Sequence, residues 1–178
     1  MIHCAPGTAT GSPRFRGHKG SVYEGGTRVP AVAWWPGRIK PGTQADDLSI
    51  TLDVMPTILE LAGDTRPAQA KSGRSLVPLL YNTGAAPREA DGPRVVSMRI
   101  ERMNYFRPMV DRLGLFNLSI LDGPWKGIWN VDRGNFELYD RHADTKETNN
   151  LAEHEVEVAR RLQAAAAQWL SQHRPAAQ

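Results

Sequence analysis

Cysteine is almost absent from this chain, which has one, Cys4, among its 178 residues. A single thiol can neither form an internal disulfide bond nor build a thiolate metal site by itself. Long apolar runs are also lacking: none approaches the roughly 20 residues that cross a bilayer, and residues 1–15 have no apolar core of a signal peptide. The sequence therefore predicts no membrane span. For the start of the chain it leaves two alternatives, a cytoplasmic protein or one whose true beginning lies upstream of Met1.

A strong charge of either sign is also missing. Lysine and arginine number 22 against 19 acidic residues, which gives a net charge of +3. Basic residues do not alternate with aromatic ones along any one element, as they do in many nucleic-acid-binding surfaces. His154 stands near Glu155 and Glu157, but the pair of histidines four residues apart that binds a metal on a helix is absent. We therefore expect no nucleic-acid partner and no metal site in this chain.

The amino-terminal part combines a glycine-rich segment with strand and helix patterns. The sequence GHKGSVYEGGTRVP occupies residues 17–30, and the apolar run VPAVAWW at 29–35 predicts a strand that is covered on both faces. A helix is predicted in 53–63, with Asp53 as its amino-terminal cap and Gly63 at its carboxyl end. Its apolar face is expected to pack against a larger body. That face comprises Met55, Ile58, Leu59 and Ala62.

The carboxy-terminal part has the pattern of an antiparallel sheet followed by a helix. Strands are predicted at 94–100, 113–122, 125–130 and 135–140, with a hairpin at Asp122-Gly123. A helix is predicted from about Glu153 to His173, capped by Asn149 or Asn150. Its apolar stripe consists of Val158, Leu162, Ala165, Ala166, Trp169 and Leu170. We place the boundary between two structural units after a Gly, Pro and Ala-rich stretch, which gives units 1–92 and 93–178.

Lys19 is the first candidate for chemistry, because an ammonium held in a glycine-bearing turn can approach an oxyanion. From the residues alone, a solvated surface lysine is the ordinary interpretation, since the segment does not match a phosphate-cradling loop. Glu24 and Arg28 are four residues apart, but Gly25 and Gly26 between them disfavour a helical pair. We expect a turn that these charges position.

Taken in order, these segments resemble the carboxy-terminal part of the sulfatase family, within the alkaline phosphatase-like superfamily. The run GHKGSVYEGGTRVP followed by WPG at 35–37 is similar to a family signature, G-x-K-G-x-x-Y-E-G-G-x-R-V-P. The segments LDVMPTILELAG, DGPWKGIWN and FELYDRHADTKETNNLA resemble later parts of the family, with Asp144-Thr145 where its members usually have Asp-Pro. The resemblance covers about residues 7 to 173. It implies an α/β fold: the end of a sulfatase-like mixed sheet with flanking helices, plus a small antiparallel sheet packed on a terminal helix.

The resemblance also implies roles for individual residues. Lys19 matches the lysine that contacts the sulfate group in sulfatases, where it stabilises charge on the ester and sulfate oxygens, and His18 has at most a supporting contact with substrate. The remaining matched residues would shape the turn and tie it to the sheet. They are Tyr23, Glu24, Gly25, Gly26 and Arg28.

Sulfatases also use a formylglycine, made from a cysteine in a C-x-P-S-R-type motif, and a calcium-type divalent cation. Cys4 begins such a motif, but Gly7 and Thr8 stand where the small polar residue and the arginine belong, and no acidic residue precedes Glu24. The resemblance therefore implies that nucleophile and metal ligands lie outside this chain.

Two main hypotheses follow from the sequence, and a phosphoesterase of the same superfamily is a third option that the signature run favours less than a sulfatase. In the first, the chain is a carboxy-terminal portion of an arylsulfatase-like enzyme that hydrolyses sulfate esters, inactive alone and able to work with a complementing amino-terminal chain on a sulfated small molecule or glycan. In the second, it is a non-catalytic remnant that binds an anionic glycan or a partner protein. The sequence does not decide the cellular location.

Overall fold

The computed structural model describes residues 14–18, 21–45, 47–64, 73–81, 94–99, 116–131 and 133–173; for residues 94–99, 116, 117 and 173 it describes the backbone alone. By their contacts, residues Met1–Val29 and Pro93–Gln178 form one unit, and Pro30–Gly92 form a second. The assignment of 1–92 to a catalytic part and 93–178 to a subdomain remains a prediction.

The larger unit contains an antiparallel sheet in which neighbouring strands are consecutive along the chain. The strands are β1 Arg94–Arg99, β2 Phe116–Asp122, β3 Trp125–Asn130 and β4 Asn135–Asp140. Gly123 has a φ of 53° and forms the β2–β3 turn, because glycine adopts this left-handed backbone without steric conflict. The predicted hairpin at Asp122-Gly123 is therefore confirmed.

One face of this sheet packs on the long helix α4, Val156–His173. Leu118, Ile120 and Leu138 point to this face and are fully buried, together with Leu162 and Ala166 of the helix. Burial of each such leucine or isoleucine contributes on the order of 1.5–3 kcal/mol. The expected apolar stripe of α4 is thus confirmed at its centre. Within the described parts of the chain, no helix is both long and apolar enough to cross a membrane.

The start of α4 differs from the sequence prediction. The helix begins at Val156, six residues after Asn150. The Asn150 side-chain oxygen instead accepts hydrogen bonds from the Leu138 and Ala152 amides, each at 3.0 Å. Asparagine side chains readily make such local bonds in turns. Asn150 therefore ties the loop before α4 to β4 rather than capping the helix.

The opposite face of the sheet packs on the short helix α1, Glu24–Thr27, and the residues just before it. Successive side chains of a strand alternate between faces, so Lys126 and Ile128 of β3 lie opposite the α4 side, as does Tyr139 of β4. Val22 packs against Ile128 and Tyr139. The sheet thus lies between a long helix and the glycine-rich segment.

The smaller unit contains a 3₁₀ turn, Thr51–Asp53, followed by α2, Val54–Leu61, and α3, Val77–Tyr81. Asp53 occupies the residue before α2, as expected, but its side chain does not cap that helix. The fully buried carboxylate accepts hydrogen bonds from the Ile50 amide at 2.9 Å and the Arg74 amide at 2.8 Å. Asp53 therefore joins the segments on either side of α2. Gly63, with φ of 75°, ends the helix as predicted.

Two apolar segments, residues 29–35 and one face of α2, are exposed where the sequence predicts burial. Residues 29–35 are not a strand; Val32 is 93% exposed and Trp34 is 83% exposed. On α2, Met55 and Ile58 are 60% and 56% exposed. A strand exists only where a neighbour satisfies its backbone groups, and none of the described residues pairs with 29–35.

Candidate functional site

The predicted sulfate-contacting residue, Lys19, lies outside the described residues, as does Cys4. The residues that flank Lys19 are described. The Ser21 amide donates to the His18 carbonyl oxygen at 3.0 Å, and the His18 amide donates to the Ser21 hydroxyl at 3.3 Å. The backbone on the two sides of Lys19 is therefore joined by hydrogen bonds, and Ser21 is buried.

Gly25 and Gly26 pack directly against this segment. The Gly25 amide donates to the Arg16 carbonyl oxygen at 2.7 Å. A Cβ atom on Gly25 would collide with the carbonyl oxygens of Gly17 and Arg16, and one on Gly26 would collide with those of Ser21 and His18. The two glycines allow α1 to lie against the backbone on both sides of Lys19, a contact that a larger residue would prevent.

Glu24, beside these glycines, belongs to a buried ionic cluster. The Lys126 ammonium lies 2.9 Å from a carboxylate oxygen of Glu24 and 2.9 Å from one of Glu147. The second carboxylate oxygen of Glu147 accepts a hydrogen bond from the Glu24 amide at 2.9 Å. All three residues are at most 3% exposed. Two carboxylates thus share one ammonium inside the protein.

This cluster shifts its two carboxyl groups in opposite directions. Burial disfavours the charged form of Glu24, but the neighbouring Lys126 ammonium, with Arg141 and Arg28, outweighs burial and leaves its pKa lowered. Burial raises the pKa of Glu147, and Lys126 and the Glu24 amide offset that effect only in part. The Glu147 backbone is also left-handed, with φ of 51°. This conformation is uncommon for a residue with a side chain, and here it belongs to the residue that closes the cluster.

A second polar cluster surrounds Arg16. Its guanidinium lies 3.9 Å from the centre of the Tyr23 ring and donates to the Tyr139 hydroxyl at 2.9 Å and the Glu147 carbonyl at 2.8 Å. The Tyr23 hydroxyl donates to the Glu137 carboxylate at 3.0 Å, and that of Tyr139 does so at 2.7 Å. Burial and the Glu137 carboxylate raise the pKa of Tyr23 to about 12, so it remains a hydrogen-bond donor at neutral pH.

Arg28 corrects a detail of the sequence analysis. Glu24–Thr27 forms a single helical turn in spite of its two glycines, and the Arg28 guanidinium lies 3.4 Å from the Glu24 carboxylate. The expected absence of a helical pair was therefore wrong. The physical reason is tertiary: the glycines are required for contact with the loop, and the carboxylate is held by Lys126. Arg28 also stacks over the Phe15 ring at 5.1 Å.

An open cleft of about 430 Å³ borders the Arg16 cluster. Two cationic side chains, one aromatic ring and a hydroxyl contribute to its lining, which consists of Phe15, Arg16, Lys146, Glu147 and Thr148. The cleft therefore offers polar and positively charged groups next to the segment that leads to Lys19.

Sequence reasoning missed Lys126 and Glu147, which complete the cluster around Glu24. A signal for Lys126 was present: a lysine stands in the apolar strand Trp125–Asn130 at a position that shares a face with Ile128. A lysine at such an inward position needs an acidic partner. No comparable pattern marks Glu147, which follows a loop more than 100 residues from its partner Glu24.

The resemblance implies a calcium-type divalent cation, which needs several oxygen ligands close together. Among the described residues, no three histidine, cysteine, aspartate or glutamate side chains are close enough to hold a metal ion. The carboxylates of Glu24 and Glu147 are occupied by Lys126, and that of Glu137 accepts hydrogen bonds from two tyrosine hydroxyls. These residues do not fit a calcium site.

Comparison with known proteins gives a consistent family. Residues 17–91 match the model of the family "N-sulphoglucosamine sulphohydrolase, C-terminal". Human arylsulfatase A is 47% identical over 72 residues, which are 40% of this chain and 14% of the enzyme. A solved structure from work on glycosaminoglycan metabolism by Bacteroides thetaiotaomicron is 25% identical with a TM-score of 0.65, and the match covers 88% of this chain and 32% of that one.

A further solved relative, in complex with its substrate D-glucosamine-2-N,6-O-disulfate, is 25% identical with a TM-score of 0.58, over 78% of this chain and 27% of that one. The chain spans about a third or less of the length of each of these relatives. The structural matches confirm the predicted α/β fold class of the alkaline phosphatase-like superfamily. Together, the family model, the arylsulfatase identity and the matched structures show that the chain is similar to the carboxy-terminal part of sulfatases.

Proposed function

We propose that this chain supplies the carboxy-terminal part of a sulfate-ester hydrolase, with Lys19 as its contact to the sulfate group. The observation that carries the proposal is the match of residues 17–91 to a sulfatase family model. The matched region begins with residues 17–30, which contain Lys19 and are called the Lys19 segment. In the reaction, water adds an oxygen to sulfur, the ester bond breaks, and an alcohol and sulfate leave. A lysine ammonium near the sulfate oxygens would stabilise the charge that develops there.

The geometry of the described residues supports this role for the segment. Gly25 contacts the backbone before Lys19 and Gly26 contacts it on both sides, and the buried Glu24 fixes both glycines to the sheet. A catalytic cation works best when the protein fixes its position before the substrate arrives. The turn residues Tyr23, Glu24, Gly25, Gly26 and Arg28 therefore serve as supports in this proposal, and His18 as a neighbour of the substrate.

The proposed substrate is a sulfated small molecule or glycan, in keeping with the arylsulfatase relative and with the relative bound to a sulfated glucosamine. The nucleophile and the ligands of the divalent cation would be residues other than those described. In the proposal, the chain alone is inactive and a complementing amino-terminal portion restores turnover.

The test uses the purified chain alone and a complemented enzyme. The complemented enzyme is this chain together with the upstream portion of the Bacteroides thetaiotaomicron relative, from its first residue to the start of the match, with its formylglycine installed. An aryl sulfate is offered with calcium. We expect turnover from the complemented enzyme only. Metal-dependent turnover by the chain alone would contradict its inactivity, and a failure of complementation would contradict the assigned role.

A non-catalytic partner-binding function is the second candidate, and the exposed apolar residues favour it. Val32 and Trp34 are almost fully exposed, and exposed apolar surface of this kind marks many protein interaction sites. The Lys19→Ala variant separates the candidates. Complemented turnover that is lost in Lys19→Ala supports the hydrolase, whereas a complemented wild type without turnover, in which both forms of the chain bind a partner equally, supports the binding module.

A further inference from the structure

We infer that Lys126 is a positioning residue for the Lys19 segment. This inference rests on the proposed function, because it concerns the lysine that is assigned to sulfate there. Lys126 lies 107 positions further along the chain in a strand of the antiparallel sheet, and its ammonium connects that sheet to the turn on which the segment rests.

Three separate parts of the chain meet at the Lys126 ammonium. Glu24 of α1 and Glu147 of the loop after β4 each place a carboxylate oxygen at 2.9 Å, and the Thr27 hydroxyl lies at 3.5 Å. The lysine side chain is only 1% exposed. A buried charge that loses its partner is strongly unfavourable, so each carboxylate is held where the ammonium can reach it.

Glu24 passes this restraint to the backbone around Lys19. Its amide donates to Glu147, and the next amide, of Gly25, donates to the Arg16 carbonyl oxygen. Gly26 packs against the carbonyls of His18 and Ser21. Displacement of Glu24 therefore shifts both glycines that contact the loop. No other described lysine side chain pairs with two buried carboxylates.

A purely structural ion pair would have a different signature. A buried ion pair can often be replaced by apolar residues without loss of stability, so overall stability does not decide between the two roles. A positioning residue must instead alter the local order of the turn, and must affect catalysis only through Lys19.

The first test measures amide hydrogen exchange in the chain itself. Lys126→Met removes the charge and keeps an unbranched side chain, and we expect the Glu24, Gly25 and Gly26 amides to exchange at least about 10-fold faster while the β2 and β3 amides change little. Arg161→Met is the matched control: it breaks a 2.7 Å ion pair with Asp122 of the same sheet, far in sequence from the turn. Glu24→Gln should speed exchange at the same three amides and is available if Lys126→Met does not fold. Equal exchange in the variants and the control would overturn the inference.

The second test is a double-mutant cycle in the complemented enzyme. Lys126→Met should lower kcat by about 100-fold, the loss that a displacement near 1 Å can produce, at a temperature where the variant is fully folded. If Lys126 acts through Lys19, the double variant with Lys19→Ala is no slower than Lys19→Ala alone. If the kcat of the double variant is instead lowered by the product of the two single-variant losses, the inference is overturned. If the complemented wild type has no turnover, the proposed function fails, and the exchange experiment still decides whether Lys126 orders the turn.

Discussion

At the scale of single residues, the absence of a side chain is as important as the charges. Gly25 and Gly26 differ from glycines such as Gly134, which has a φ of 72° and open space around it. Gly134 is required by its backbone conformation alone. The two glycines of the signature are required because α1 touches the carbonyls of the preceding loop.

Replacement of Gly25 by alanine should therefore be more harmful than replacement of Gly134. The new methyl group would overlap the Arg16 and Gly17 carbonyls, and overpacking of this kind costs about 1–3 kcal/mol. Gly134→Ala meets only the strain of a left-handed backbone, about 1–2 kcal/mol. Urea unfolding of both variants measures the difference. We expect the loss of stability in Gly25→Ala to be about 3 kcal/mol, the upper end of the overpacking range, and the Arg16–Gly25 hydrogen bond to be loosened. An equal or smaller loss at Gly25 would contradict the close contact.

The two carboxylates around Lys126 give stability opposite dependences on pH. The lowered pKa of Glu24 means that its contribution is present above the ordinary glutamate pKa, about 4.3, and is lost as the pH falls further. The raised pKa of Glu147 means that its contribution is present below about 4.3 and is lost as the pH rises through the raised pKa.

This opposition is measurable in difference curves. The free energy of unfolding of the wild type minus that of Glu24→Gln should decrease as the pH falls below about 4.3. The same difference for Glu147→Gln should decrease as the pH rises above that value. Parallel curves would contradict the opposite pKa shifts of the two carboxyl groups.

At the scale of elements, α4 and α2 show how far an apolar pattern predicts packing. The stripe of α4 meets a sheet, and Leu162 is fully buried against Leu118 and Leu138. The stripe of α2 is as regular in sequence, yet Met55 and Ile58 are exposed. The pattern shows which face is apolar, and a partner element decides whether that face is buried.

Leu162→Ala should destabilise the larger unit by about 2–5 kcal/mol, because it leaves a cavity between α4 and the sheet. Val156→Ala, at the exposed start of the same helix, is the control and should change stability by no more than about 0.5 kcal/mol. Thermal unfolding followed by circular dichroism compares the two variants. Similar losses would mean that α4 does not pack through Leu162.

On α2, Ile58→Gln should leave the free energy of unfolding within about 0.5 kcal/mol of wild type, since the side chain is exposed. Thr57→Ala is the contrasting variant: the Thr57 hydroxyl is buried, donates to the Asp53 carbonyl and accepts from the Leu76 amide at 2.8 Å. Its loss should cost about 1–3 kcal/mol, because the partly buried Leu76 amide is left without this partner. Urea unfolding distinguishes them, and a large loss at Ile58 would contradict the exposure of that face.

The strands β2 to β4 and the helices α2 and α4 were predictable from local patterns, whereas the strand predicted at 29–35 was wrong because no described neighbour pairs with it. Alternation marked β2 to β4, and Gly123 marked the hairpin between β2 and β3. The cap of α4 was predicted wrongly at Asn149 or Asn150: the helix begins only at Val156, and the Asn150 side chain accepts a hydrogen bond from the Leu138 amide of β4. That choice depends on a strand 12 residues away, which a local pattern does not contain.

At the scale of the whole chain, segments far apart in sequence build one cluster within the larger unit. Lys126 contacts Glu24 across 102 positions, and the Glu24 amide contacts Glu147 across 123. The signature predicted the residues of the turn, including Glu24. It did not contain their partners, since long-range pairing is specified by the sheet rather than by any local motif. The lysine at position 126, in an otherwise apolar strand, was the one local sign of this long-range pairing.

The sheet both stabilises the larger unit and holds the segment that leads to Lys19, because its two faces are chemically different. Its α4 face is apolar, with Leu118 and Leu138, whereas the face toward α1 carries Lys126, Glu137 and Tyr139. The first face stabilises the larger unit. The second face fixes the segment that leads to Lys19, which links the fold to the proposed chemistry.

The most direct test of the account is the kcat of Lys19→Ala in the complemented enzyme on an aryl sulfate. Lys40→Ala, which removes an exposed lysine outside the signature turn, is the matched control. If Lys19 stabilises charge on the sulfate, kcat should fall by about 100-fold or more, while Lys40→Ala stays near wild type. Equal activity of the two variants would contradict the assignment of Lys19, and with it the central claim that this segment serves sulfate-ester hydrolysis.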